Sequence, residues 1–516
     1  MNLKDMLTKL VARYGGKTAL VCEDQELSYT ELDEASNRVA NALLKLGINR
    51  GDRIALLLNN SPEFVVAYFG IVKIGAIAVP LDTKYKLDEL TSLFADFQPR
   101  ILVSESPVLE PLIPALSSFK SIEKVISFSP KFQGQFLTYQ EIMGANSARP
   151  VSVEADGEDV AHIVYTAGPS FRPHGCALTH RSVEAVSIAS AEGFAMTEKD
   201  IVLLFALPLH HSAGLVIVLL TALSQGATVV MLPGLSMQSL TGTIEREKVT
   251  VFIGVPFVFW LLIREAEEED IKHNLSSLRL CASGGSAVPN ELTKRFKELF
   301  GYTIAQFWGL SEATAHVTCQ SGDGRGPIGS VGPLLRGWEI KVVDDKGREL
   351  PANRHGELLL RGPMMKEYYR NPKATAEAIK DGWLYTGDYG KVNEDGNVYI
   401  TGRKKDMIII KGQNIYSSDI EDALSRHPKV AEVAAIGIPD ELRGEIIGAA
   451  IVLKPGVEAT EAEMKRFCID HLANYKIPKQ FFFVVSLPKT SVGKIDKESL
   501  RTSLALPPVF PKVKVG

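Results

Sequence analysis

The chain has 516 residues, 45% hydrophobic and 23% charged, with a formal net charge of −4; this excludes a dominantly disordered chain or a small stapled scaffold and suggests about two to four domains. Without a basic surplus to neutralise a phosphate backbone, nucleic acid is not expected as a partner, which leaves a small-molecule substrate. The cysteines Cys22, Cys176, Cys281, Cys319 and Cys468 are scattered, odd in number and never in a C-x-x-C pair, which fits a reducing, cytoplasmic compartment and argues against zinc.

The N-terminal segment carries charge throughout and lacks the apolar run of a signal peptide, so no export is expected. From Tyr29 a helical pattern (Leu32, Ala35, Val39, Ala42, Leu43) runs to a stop at Gly47, and residues 53–58 read as a buried strand. An apolar helix over 64–74 and strands over 76–81, 101–103, 124–128 and 160–165 continue the alternation, the pattern of an α/β protein with a largely parallel sheet. The most apolar run, 213–222, is about half the length a bilayer span requires; it reads as a core helix or pocket wall, and no membrane span is expected. Between 328 and 406, short strands (339–343, 356–360, 398–401) and turns such as Asp345-Lys346-Gly347 and Glu394-Asp395-Gly396 predict a β-rich subdomain. A further unit with strands and helices of its own follows Lys405. The expected fold class is α/β: a large N-terminal domain of packed α/β sheets with a β-rich subdomain (1–402), a junction (403–406) and a small α+β C-terminal domain (407–516).

Five segments carry recognisable chemistry. A buried strand runs into Thr166-Ala167-Gly168-Pro169-Ser170-Phe171, a loop of a kind that can offer backbone N–H groups and hydroxyls to phosphate. Phe307-Trp308-Gly309-Leu310-Ser311-Glu312 supplies flat rings for a purine, a hydroxyl for phosphate and a carboxylate for Mg²⁺. Tyr385-Thr386-Gly387-Asp388 and Gly402-Arg403-Lys404-Lys405-Asp406 supply a carboxylate and a guanidinium suited to ribose hydroxyls. Pro488-Lys489-Thr490-Ser491-Val492-Gly493-Lys494 ends on a lysine. Singly, each also reads as an ordinary turn or a solvated charge.

In this order and spacing, together with Leu207-Pro208-Leu209-His210-His211-Ser212-Ala213-Gly214 and Ser283-Gly284-Gly285-Ser286-Ala287-Val288-Pro289, the segments resemble the acyl-adenylate-forming (AMP-binding) superfamily along essentially the whole chain, and within it the acyl-CoA synthetase branch. The resemblance implies a two-step reaction: a carboxylate attacks the α-phosphate of ATP to give acyl-AMP and pyrophosphate, then the thiol of coenzyme A displaces AMP. Lys494, His211 and Glu312 would be catalytic, with Glu312 also holding Mg²⁺. Thr166, Gly284, Gly285, Ser286, Phe307, Trp308, Gly309, Ser311, Asp388 and Arg403 would bind ATP or AMP, with Trp308 where the family usually has Tyr. Lys405 would be the hinge of a mobile C-terminal domain, Gly412 would admit the pantetheine arm of CoA, and Ala213, Gly214, Leu310 and Ala315 would line the acyl pocket.

The phosphate loop departs from the family pattern. Thr166 to Phe171 loses hydroxyls and a glycine, Pro169 removes a backbone donor, and His174 stands in place of a lysine. The grip on the leaving pyrophosphate should weaken and the AMP half of the site should not; protonated His174 offers a replacement donor, so adenylation is expected to improve below neutral pH. No acidic residue sits where an amino acid's ammonium would need one, which favours a fatty or other apolar acid. The chain ends soon after Lys494 without a fused carrier, which favours CoA. The alternatives are an acyl-adenylate or acyl-CoA binding protein with weak or lost adenylation, and a ligase that loads a free-standing carrier protein.

Overall fold

Strands that are apolar on both faces need cover on both sides, and the chain supplies it by alternating them with helices. The computed structural model describes residues 2–166, 174–232, 236–268, 273–321, 326–403, 406, 408–410, 413–415, 417–440, 444–472, 476–490 and 494–505. Thr18–Cys22, Ile201–Leu204, Thr228–Met231, Val251–Gly254, Leu280–Ser283 and Ile304–Trp308 form the parallel centre of one eight-stranded sheet. Arg53–Leu57, Ile77–Pro80, Ile101–Ser104, Lys124–Ser127 and Val160–Thr166 form that of a second. Here the alternation departs from the expected parallel order: Val160–Thr166 pairs antiparallel with His174–Thr179, which sets Thr166 opposite His174.

Helices Tyr29–Lys45 and Pro62–Lys73 fill the core shared by the two sheets. Ser28 and Glu31 close a capping box at the start of the first, which satisfies backbone donors that a helix end leaves open. The second is apolar on every side between Glu63 and Lys73 and almost wholly buried, as a helix with cover all round must be. Gly70 lets the pair approach, since a Cβ there would lie 2.6 Å from Val39. Residues 213–220 are wound as a π-helix in which Thr221 donates to the Val216 carbonyl at 2.8 Å. The charged N-terminal segment forms helix Leu3–Tyr14, with Leu3, Leu7 and Leu10 buried.

Beyond residue 338, Glu339–Val343, Gly356–Arg361, Ile379–Lys380, Trp383–Val392 and Val398–Arg403 pair in an antiparallel five-stranded sheet. The last unit builds its own sheet from Ile408–Ile410, Gln413–Ile415, Val430–Asp440, Gly444–Leu453 and Gln480–Phe483, with separate hydrophobic clusters that include Ala435 and Ala449 in one and Ala434 and Ala450 in the other. That alternation is what the period-2 geometry of a strand gives a sheet covered on both faces. Among the described residues, no helix is long and apolar enough to cross a membrane.

Candidate active site

Several of the sequence-selected residues lie where parallel strands of the first sheet end, the customary place for ligands in open α/β sheets. Gly284, Gly285 and Ser286 leave Leu280–Ser283; Gly309 leaves Ile304–Trp308. A Cβ on Gly284 would lie 2.5 Å from the Phe307 ring, so that ring supports the turn from below. Phe307 itself is core, packed against Phe194 at 6.0 Å and His316 at 5.2 Å. Gly285 and Ser286 are exposed above it.

Asp388 and Arg403 sit directly opposite each other in the antiparallel pair Trp383–Val392 and Val398–Arg403. Arg403 Nε lies 3.2 Å from Asp388 Oδ1, and the Trp308 indole Nε1 donates to Oδ2 at 2.9 Å. Burial raises the Asp388 pKa, while the Arg403 guanidinium, the Trp308 hydrogen bond and the Lys494 ammonium oppose the rise. Both carboxylate oxygens are therefore oriented, and Arg403 keeps half its side chain in solvent.

Glu312 lies in the turn Ser311–Ala313 and accepts the Tyr368 hydroxyl on Oε1 at 2.8 Å. The Tyr368 ring lies 4.9 Å from that of His174, whose carbonyl accepts from Thr166 Oγ1 at 3.3 Å. Thr166, His174, Tyr368 and Glu312 thus form one continuous patch. Glu312 is only partly buried and has a second oxygen to offer. Among the described residues no group of three His, Cys, Asp or Glu side chains could hold a metal ion; a single carboxylate such as Glu312 is a donor of the kind Mg²⁺ takes beside phosphates.

Asn60 fixes the loop that carries His211: it donates to the Leu207 carbonyl at 3.0 Å and accepts from the Leu209 N–H at 2.8 Å. Burial pushes the His211 pKa down to about 3, helped by the Lys494 ammonium and by His210. Lys494 thus lies within electrostatic reach of both His211 and Asp388. Its loop is closed by Thr490 N–H donating to the Lys494 carbonyl at 2.7 Å and Lys494 N–H donating to Thr490 Oγ1 at 3.2 Å.

The segments named for the acyl pocket meet through a hydrogen bond from Ser212 Oγ to Ser311 Oγ at 3.1 Å, which ties Ala213 and Gly214 to Leu310. Thr314 and Ala315 take left-handed backbone conformations (φ 49° and 83°), and a Cβ on Gly309 would lie 1.9 Å from the Ala315 carbonyl oxygen. Strain of this kind in residues with a Cβ tends to gather at functional sites. His316 bonds Ser190 at 2.8 Å and is held neutral by burial, its pKa lowered to about 3. Lys405, Gly412 and residues 167–173 lie outside the described residues. Tyr368 and Asn60 have no local signal in the sequence, one a tyrosine in a two-residue strand and the other an asparagine more than a hundred positions from its loop; Ser212 lies within the quoted histidine motif, where sequence alone assigns it no role.

The profile described as AMP-binding enzyme matches residues 7–369, and that described as AMP-binding enzyme C-terminal domain matches 419–494. A long-chain-fatty-acid–CoA ligase of Bacillus subtilis (strain 168) is 31% identical over 528 aligned residues, covering 97% of this chain and 94% of its own. The chain is an AMP-binding enzyme of the acyl-CoA ligase family. A crotonobetaine/carnitine–CoA ligase of Salmonella paratyphi A is also 31% identical to this acyl-CoA ligase, over 97% of it and 99% of the relative. ATP-bound MatB from Rhodopseudomonas palustris superposes with a TM-score of 0.90 at 30% identity, over 98% of this chain and 99% of that one. Apo MatB gives 0.80 at 29% identity with the same shares.

Proposed function

We propose that this acyl-CoA ligase joins an apolar carboxylic acid, fatty or otherwise, to coenzyme A through an acyl-AMP intermediate. The observation that carries the reading is the convergence on Asp388: Trp308 and Arg403 orient its carboxylate, and the Lys494 ammonium, from the C-terminal unit, acts to lower the pKa of both it and His211. A carboxylate so held suits vicinal ribose hydroxyls. An ammonium beside it suits the charge that builds on the α-phosphate and the attacking carboxylate oxygen. In the first step that oxygen bonds to the α-phosphorus and pyrophosphate leaves; in the second, the CoA thiolate bonds to the acyl carbon and AMP leaves. Gly284, Gly285 and Ser286 would face the adenine, Ser311 the phosphates, and neutral His211 would lie between acyl group and α-phosphate. Glu312, steadied by Tyr368, would hold Mg²⁺, which when bound neutralises charge on the phosphates.

The division at 403–406 would let the unit with its own sheet turn between the two steps, with Lys405 as hinge and Gly412 beside the CoA arm. Five free thiols suit a reducing, cytoplasmic setting. The altered loop around His174 favours a second reading, slow adenylation with intact thioester formation. The test is AMP release from ATP with a panel of straight-chain and aromatic acids: release that needs acid, CoA and Mg²⁺ together is expected. Thioester formation from supplied acyl-AMP alone would favour the second reading, and failure of both reactions would leave a binding protein.

A further inference from the structure

Helix Pro256–Glu268, which follows Val251–Gly254 of the first sheet, presents two large rings to solvent, Phe257 (45% exposed) and Trp260 (36%). Exposed aromatic rings on one helix face call for a partner more than single exposed apolar residues do. For Phe257 the partner comes from the other end of the chain: Lys489 Nζ lies 5.0 Å from its ring centroid, within the range of a cation–π contact. Lys489 is also held from behind by Glu432 on Val430–Asp440, at 2.8 Å. It pairs antiparallel with Ile495, the neighbour of Lys494, and the Asp496 N–H donates to the Pro488 carbonyl at 2.8 Å. Lys489 is thus joined on one side to the ring and on the other, by backbone pairing, to the segment that carries Lys494.

We propose that Phe257 and Lys489 are positioning residues for the first half-reaction: their contact seats the loop that delivers Lys494 to the α-phosphate. The inference rests on the proposed role of Lys494. Neither side chain takes part in chemistry. If the C-terminal unit turns for thioester formation as proposed above, Lys489 leaves Phe257 and the contact serves adenylation alone. A partly exposed cation–π pair of ordinary strength sets the scale of its effect at about two- to fivefold in rate.

The test measures the half-reactions separately: acid-dependent exchange of pyrophosphate into ATP, and thioester formation from supplied acyl-AMP and CoA. Phe257→Ala and Lys489→Met should each slow exchange about two- to fivefold, the double variant should be no slower than either single one, and Phe257→Tyr should keep the wild-type rate. Thioester formation should be unchanged in all four, which also shows that they fold. Unchanged exchange in both single variants, additive losses, or equal loss of both half-reactions would overturn the inference alone. No exchange in the wild type would overturn the proposed first half-reaction and this inference with it.

Discussion

Asp388 shows how a site residue is made. A buried carboxylate is costly unless donors meet it, and here one donor comes from the facing strand and one from a different sheet. The Asp388–Arg403 half was legible, because two short motifs flank a hairpin whose register sets them opposite. The Trp308 half was not: nothing local links residues that far apart in sequence, and the indole read instead as a platform for a purine. Trp308→Phe removes the donor but keeps a ring. It should raise the KM for ATP on the order of tenfold, the worth of a hydrogen bond to a charged group, with kcat largely kept; an unchanged KM would mean that the bond does not shape the ribose site. His211 yields a pH prediction. With its pKa lowered to about 3, it is neutral throughout the working range, so it loses no proton as pH rises through neutrality. His211→Gln should lower the rate without moving either limb of the pH–rate profile between about pH 5.5 and 8. Loss of an acid limb in the variant would contradict this.

At the scale of elements, the central strand runs of the second sheet were plain because short, doubly apolar segments bounded by turn residues have few other uses; most of those of the first sheet were not read. The π-winding of 213–220 was not, since an all-apolar run has no polar face from which to read a period. Helix Leu3–Tyr14 did carry its pattern in Leu3, Leu7 and Leu10, overshadowed by the question of export. The pairing of Tyr29–Lys45 with Pro62–Lys73 holds a buried charge that no pattern announced. Lys73 is 2% exposed and bonds Asp33 Oδ1, Ser36 Oγ and Asn37 Oδ1, each at 2.7 Å. Burial nevertheless lowers its pKa to about 8 from 10.5. Between those values the unfolded chain still holds a proton that the folded chain has released, so this site's contribution to stability rises with pH. The unfolding free energy of the wild type minus that of Lys73→Met should therefore climb between pH 8 and 10.5, by up to about 3 kcal/mol. Denaturant titrations at several pH values check the sign, and a flat or falling difference would contradict it.

The whole molecule brings residues from both ends of the chain to one place. The sequence predicted a two-part plan from the change of texture after residue 402. It did not say how the parts sit together, because surface contacts such as Lys489 on Phe257 leave no periodic trace. The Lys494 charge, from the C-terminal unit, acts to lower the pKa of both His211 and Asp388. The most direct test of the account is the Lys494→Ala variant assayed in both half-reactions beside the wild type. Acid-dependent pyrophosphate exchange should fall on the order of 10²–10³-fold, the usual cost of removing one such charge-stabilising group, while supplied acyl-AMP should still be converted to thioester at the wild-type rate. Exchange that survives the substitution, or a thioester step that fails with it, would contradict the role assigned to Lys494.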